Sequence, residues 1–457
     1  MRVAVAGGGL AGLSAGCELA DLGHQVTVFE KRPFAGGKTY SFVDRETGEE
    51  VDNGQHVFMA CTTEYVAFLR RLGTLSLTRR QRRLSVPVFD ANGRNRCVLR
   101  AMALPSPLHL AWSFARFRHL SLADRARAGL LLARIWRMSA ATRESLANVS
   151  FGEWLRGRGQ SAEAIREFWD FTLVPTLNCR SDDASTAAAL FVLQEGFLAS
   201  STSAAVGLSA VGLSELHVRP AVEFITKRTG TVLTGAAVSA VTEADGRATG
   251  VALADGTVEP FEAVVLAVPH TEVAGLLPAA LAGQAPFESL AALPTAPIIN
   301  LHLWYDRPVA PWAFAAFAGS ELQWVFNRSR LDRVPQSGRA HLVVSLSAAG
   351  PYMTLSRAEL KEHFVPLVER ALPATRAAQL IHFTAIKEPA ATFVPAPGLV
   401  RPGPTTPLPN LVLAGAYTAT GWPATMESAV RSGLNAARAL HVTCGVRHRR
   451  TAAVQEG

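Results

Sequence analysis

The chain has 457 residues, 49% of them apolar and 18% charged, which suits a large buried core and excludes global disorder. Its formal net charge of +8 reflects 45 basic against 37 acidic residues, but no nucleic-acid motif accompanies them, so a nucleic-acid partner is not expected. Five cysteines (Cys17, Cys61, Cys97, Cys179 and Cys444) are scattered and lack any C-x-x-C, so the expectation is a reducing, cytoplasmic setting with no disulfide framework and no metal site.

Residues 2–6 read as a short buried strand, 10–22 as an amphipathic helix and 25–30 as a second, parallel strand. The turn between the first two is Gly7-Gly-Gly9-Leu10-Ala11-Gly12. Gly7 permits the tight turn. Gly9 lets backbone amides at the start of the helix approach a pyrophosphate, and Gly12 lets helix and strand pack closely. Glu30, closing the second strand, is placed to accept a hydrogen bond from a ribose hydroxyl. Strand, helix, second strand and terminal acid together predict dinucleotide binding. The next loop, Lys31-Arg32-Pro33-Phe34-Ala35-Gly36-Gly37-Lys38, sets backbone amides and cations beside phosphate. Asp52-Asn53-Gly54-Gln55-His56 is then a polar turn feeding an apolar strand, with the character of a border to a planar cofactor.

The N-terminus runs straight into a strand, which leaves no room for a signal peptide, and no apolar run reaches the ~18 residues of a spanning helix. Residues 105–218 form a helical stretch rich in Ala, Leu, Arg and aromatics. Its arginines (116, 118, 125, 127, 134, 137) are interleaved with Trp112, Phe114, Phe117 and Trp136, and follow an earlier set at 70, 71, 79, 80, 82 and 83. Two readings stand side by side: a solvated helix face over a core, and a peripheral surface lying on anionic lipid. Phe168, Trp169 and Phe171 are candidate linings of an apolar tunnel, with ordinary core as the alternative. Strand signals return at 231–241, 248–253 and 258–268, read as a three-stranded meander that includes Val238. Strands at 298–305 and 340–347, a helix at 356–372, a Pro-rich connector at 395–409, a strand at 410–414 and a helix at about 423–440 complete the order, with a frayed tail over 442–457.

The late strand ends on Gly415 and is followed by Ala416, Tyr417, Gly421-Trp422-Pro-Ala-Thr425-Met426-Glu427 and a helix whose N-terminal partial charge suits the pyrimidine edge of a reduced flavin. G-x-G-x-x-G with a distal Glu, Gly-Gly-Lys, and this Gly-Trp-Pro-Ala-Thr-Met-Glu segment resemble the amine oxidase and phytoene desaturase superfamily of FAD enzymes. More narrowly, Asp52-Asn-Gly-Gln-His56, Phe168-Trp169, Leu177-Asn178, Leu213-Ser214-Glu215-Leu216 and Gln323-Trp324-Val-Phe-Asn-Arg328 resemble the hydroxysqualene dehydroxylases, also called squalene-associated FAD-dependent desaturases. The resemblance runs in order from residue 1 to about 440. It implies an α/β (α+β) fold, in which a Rossmann-like FAD-binding domain (1–100, 219–290, 400–441) is interleaved with a substrate domain of mixed sheet and helices (101–218, 291–399).

It further implies FAD held by Gly7, Gly9, Leu10, Ala11, Gly12, Glu30, Lys31, Gly36, Gly37, Lys38, Gly54, Gln55, His56, Val238, Gly415, Ala416, Thr425 and Met426. The substrate would be an apolar C30 isoprenoid lined by Phe168, Trp169, Trp324, Tyr417 and Trp422, and the electron donor and oligomeric state are left open. The reaction implied is reduction of hydroxysqualene to squalene with loss of water, for which a general acid would help. His56 is a candidate acid, as are Asp170 and Glu195, each with a packing or solvated role as the alternative. Two positions depart from the family pattern: Ala416 stands where an acidic residue is usual, and Lys38 stands where Arg is usual, which keeps the charge but loses the bidentate fork. A carotenoid-type desaturase or isomerase is the alternative enzyme. An amine oxidase is disfavoured by the lack of a second wall opposite Tyr417. A prenyl-binding escort protein without catalytic flavin is the alternative from another class.

Overall fold

A computed structural model describes residues 1–284, 287–290, 292–333 and 338–455. Strand β1 (Arg2–Ala6), helix α1 (Leu10–Asp21) and strand β2 (Gln25–Glu30) form the opening βαβ unit. These strands join Thr231–Thr234, Ala263–Leu266 and Leu411–Leu413 in a five-stranded parallel sheet with β1 at its centre. All but the first residue of β1 are buried, because both faces of the sheet are covered. Val3 and Val5 pack under α1 and the C-terminal helix, while Ala4 and Ala6 face the opposite side with Phe29, Val251 and Leu266.

The second half is built on a seven-stranded sheet. Its order is Leu380–Phe393, Thr295–Tyr305, Ala340–Ser347, Trp324–Asn327, Phe314–Phe317, Ser85–Phe89 and Cys97–Arg100. One face packs on the helix Arg357–Ala371 and the other on the helical stretch. A small sheet of Val57–Met59, Val206–Ser209 and Thr78–Arg80 ties the helical stretch to the nucleotide half.

Several boundaries differ from the sequence reading. Residues 85–89 and 97–100, assigned to the FAD-binding segment 1–100, are the last two strands of the second sheet, with 97–100 at its edge. Their apolar residues Val86 and Leu99 are needed there to close an apolar wall. The stretch 231–241 is two strands, since Gly235 at φ +72° breaks it: its first part joins the parallel sheet and the meander begins at Val238. Likewise 258–268 splits into Val258–Pro260 in the meander and Ala263–Leu266 in the parallel sheet. The last helix runs Met426–Gln455, well beyond 440 and through most of the expected frayed tail, of which residues 456–457 lie outside the described residues.

Candidate active site

The glycine turn is dictated by contacts that no side chain can share. Gly7 sits at φ +111°, and a Cβ there would lie 2.5 Å from the Ala267 carbonyl oxygen, on the neighbouring strand exit. A Cβ on Gly12 would lie 1.9 Å from the Gly7 oxygen, so α1 touches the turn it leaves. Gly12 does its work in this packing and does not itself face the cavity. Helix α1 has Gly9 as N-cap, without a side-chain cap and without an acidic residue in the first turn. Its N-terminal partial positive charge is therefore not neutralised from within the helix, the condition for an anion site.

The second motif closes on the first. Gly36 N–H donates to the Gly8 carbonyl at 2.8 Å, and a Cβ on Gly37 would come within 2.9 Å of the Gly9 Cα. Glu30, 6% exposed, accepts from the amides of Gly8 and Arg32, both at 2.9 Å, which holds its carboxylate at the end of β2. The cation against the Gly-Gly pair is Arg32, which donates to the Gly37 carbonyl at 3.0 Å. Lys31 lines the rim and pairs with Glu272 at 2.7 Å. Lys38 lines the same surface and is held from the second sheet: its ammonium donates to the carbonyls of Ala390 and, at 3.0 Å, Ala391. Burial pushes its pKa down, opposed by the nearby Glu388, and those main-chain oxygens are the acceptors that a buried ammonium requires.

From this cradle a cavity of about 600 Å³ runs between the two sheets. The nucleotide end is lined by Gly7, Gly9, Leu10, Ala11, Glu30, Gly36, Gly37 and Val238, and its middle by Gly54, Gln55, His56, Gly415, Ala416, Thr425 and Met426. Thus, Gly12 apart, the cofactor residues expected from sequence come together along one continuous surface, even though they are drawn from both ends of the chain. The far arm is apolar, with Leu84, Val86, Leu99, Phe171, Phe191, Val192, Phe197, Phe314 and Phe326. Trp324 forms part of that wall, stacked between Phe171 (centroids 6.2 Å apart) and Phe314 (6.3 Å). Tyr417 and Trp422 also line the cavity.

Phe168 and Trp169 do not. Trp169 is fully buried, with its indole N–H on Gln160 at 3.0 Å, and Phe168 packs beside it in the core. The helical register turns the tunnel side to Phe171 instead. Asp170 is also turned away, holding the amide and hydroxyl of Ser181. Glu195 does line the arm. His56 Nδ1 sits 2.9 Å from the Gly54 carbonyl, which requires the proton on Nδ1, and burial lowers its pKa, favouring the neutral ring.

The turn that carries His56 is fixed by residues far away in sequence. Asp52 accepts from Leu213 N–H (2.9 Å) and from Ser41 Oγ (2.8 Å), with Arg328 at 4.0 Å. Asn300, 2% exposed, accepts from the Gln55 amide at 3.3 Å. Asn178 donates to Ala296 and Thr392 and accepts from Ala348 N–H at 2.7 Å, locking the helical stretch to the second sheet. Glu427 accepts from the amides of Glu64 (3.2 Å) and Tyr65 (2.8 Å), capping helix α2 (Thr63–Arg71) from the C-terminal helix, and pairs with Arg431. Asn300 was missed by sequence reasoning, although it left a signal as an amide interrupting a largely apolar strand.

A phosphate-bearing flavin fits this surface on two counts. The glycine cradle admits backbone close to an anion where any Cβ would fill the space, and the buried Tyr417 hydroxyl, on the cavity wall, has no hydrogen-bond partner within the protein. The family model described as flavin containing amine oxidoreductase matches residues 10–441. The chain belongs to this family. Among its relatives, a hydroxysqualene dehydroxylase from Rhodopseudomonas palustris is 29% identical, the alignment covering 95% of this chain and 97% of the relative. A 15-cis-phytoene desaturase from Synechococcus elongatus is 26% identical, with 96% of each chain covered. The structure of a putrescine oxidase with bound putrescine matches the fold with a TM-score of 0.71 at 18% identity, covering 97% of this chain and 99% of that one. Family and relatives make the chain a flavin-dependent oxidoreductase, which sets aside the escort-protein alternative.

Proposed function

We propose that this chain uses FAD to reduce hydroxysqualene, a C30 allylic alcohol, to squalene with loss of water, a step of triterpene (hopanoid) synthesis. The observation that carries this reading is the similarity to hydroxysqualene dehydroxylases along nearly the whole chain, at 29% identity against 24–26% for the carotene and phytoene desaturases. The apolar arm beyond the nucleotide cradle supports a long hydrocarbon substrate.

When bound, FAD supplies hydride-transfer chemistry in either direction. The protein's own contribution is then threefold. The Phe171, Trp324 and Phe314 wall excludes water from a developing allylic cation, which water would otherwise capture. The Asp52–Leu213 and Asn300–Gln55 tethers hold the turn at His56 against the same space. His56, with its Nδ1 proton on the Gly54 carbonyl and its charged form disfavoured by burial, is assigned to orienting the wall rather than to protonating the departing hydroxyl. His56→Gln should accordingly lower turnover less than about tenfold, short of the loss expected for a general acid.

The test is anaerobic incubation of the photoreduced protein with hydroxysqualene, followed by product analysis. Squalene is the expected product, and its absence would sink the proposal. The second reading, a carotenoid-type desaturase, is favoured by the 25–26% identity to zeta-carotene and phytoene desaturases over 96% of the chain. Its mark would be turnover of a polyene by the oxidised protein with none of hydroxysqualene.

A further inference from the structure

Between Asp90 and Glu144 the chain carries ten arginines and a single carboxylate, Asp124, which is buried. The same stretch holds the largest run of exposed apolar side chains. Helix α3 (Ala111–Ala115) and the loop before it expose Met102, Leu104, Leu108 (56%) and Trp112 (55%). Helix α4 (Leu122–Trp136) turns Ala128, Leu131 and Ile135 inward and shows Leu122 (77%), Ala126 and Leu130 (75%) outward, one row at a spacing of four residues. A soluble surface does not ordinarily array leucine and tryptophan this way. The arginines sit at its rim: Arg116 stacks over Trp112 at 4.0 Å, Arg137 over Trp136 at 5.9 Å, and Arg118, Arg127 and Arg134 are exposed.

We infer that this face docks on an anionic lipid bilayer, with Leu108, Trp112, Leu122 and Leu130 entering the headgroup boundary and the arginines meeting lipid phosphate. Charge selects the occupant: a rim this basic, around an apolar centre, complements an anionic bilayer and repels a second copy of itself. No helix among the described residues is long and apolar enough to cross a membrane, so the contact is peripheral. The face also adjoins the cavity wall: His109 Nε2 lies 2.9 Å from the Phe197 carbonyl, Ser113 bridges to the strand carrying Leu99, and both Phe197 and Leu99 line the apolar arm.

The test is co-sedimentation of the flavin-loaded full chain with phosphatidylcholine vesicles, with and without phosphatidylglycerol. Binding is expected with phosphatidylglycerol, weakening as salt rises. Two variants, Leu108→Ser/Trp112→Ser/Leu130→Ser and Arg116→Glu/Arg127→Glu/Arg134→Glu, should each bind at least about tenfold more weakly with flavin absorbance unchanged. Wild-type protein left in the supernatant, or binding that survives both variants, overturns the proposal. So does a wild-type dimer that fails to bind vesicles and becomes monomeric in the apolar variant, since the face would then be a subunit interface. Vesicle binding is read without turnover, so these outcomes stand whatever the substrate proves to be.

Discussion

The nucleotide cradle is made almost wholly of main chain, while the apolar arm is made of side chains delivered by six separate stretches of sequence. In the cradle, Gly7, Gly36 and Gly37 bring amides and carbonyls into contact at positive φ, and an added carbon would lie 2.5 Å from the Ala267 oxygen at Gly7, 3.1 Å from the Thr39 oxygen at Gly36 and 2.9 Å from the Gly9 Cα at Gly37. In the arm, Val86 and Leu99 come from the paired strands 85–89 and 97–100, Phe171 and Phe197 from helical turns, and Phe314 and Trp324 from two further strands. A backbone site tolerates almost no substitution and therefore writes itself as a short motif. A side-chain wall needs only volume and apolarity, so many sequences satisfy it.

The sharpest way to break this contrast is at Gly12. Gly12→Leu forces a side chain into the Gly7 carbonyl and should cost about 3 kcal/mol or more and abolish flavin retention. Loss of the flavin absorbance together with a lowered Tm is expected, and a variant that keeps both would refute the packing argument. Acid should act next, and on the other half. Burial lowers His302 to about 3 and His341 well below its ordinary value, and the two rings face each other at 3.0 Å in the second sheet. A depressed histidine contributes stability that is complete above about pH 6.5 and is lost as pH falls towards 3, at up to about 1.4 kcal/mol per pH unit for each ring. Trp304, stacked 4.2 Å from His341, should report this by fluorescence at a higher pH than flavin release, and the order should vanish in His302→Gln/His341→Gln.

Smaller effects sharpen the comparison. Glu30→Gln leaves the turn in place but weakens the charge-assisted bonds to Gly8 and Arg32, so flavin affinity should fall about tenfold, measured by fluorescence quenching, while kcat of the loaded protein changes little. Last come two tryptophans. Trp169→Phe should lower stability by about 1 kcal/mol through loss of the Gln160 bond and leave KM alone, whereas Trp324→Ala should raise KM several-fold with little change in Tm. The reverse pattern would return Trp169 to the substrate wall.

This difference explains what could be read from the sequence. The βαβ unit, the Gly-Gly loop and the Gly415 segment were legible because each is a local backbone requirement. Phe168 and Trp169 were misassigned because aromatic spacing does not say which side of a helix faces a cavity. Their helix also runs through a π-helical segment, Ile165–Asp170, that shifts the register, and residues 192–198 behave likewise. The carbonyls that hold Lys38 were not legible, because they lie over 350 residues away and local sequence carries no trace of them. The strands at 85–100 were assigned to the wrong half for a similar reason, as their partner strand begins at Phe314.

The cap that Glu427 places on helix α2 spans 362 residues, and the fifth strand of the parallel sheet, Leu411–Leu413, arrives equally late. A chain emerging from the ribosome therefore makes the glycine turn about 400 residues before the strand and carboxylate that close the same pocket. At about 5–20 residues per second, that wait lasts roughly twenty seconds or more. Throughout it, β1 and β2 present an unfinished sheet and a half-built cofactor floor. The nascent protein is most exposed to misassociation and to chaperones in this interval, and a firm hold on the cofactor waits for residues 411–427.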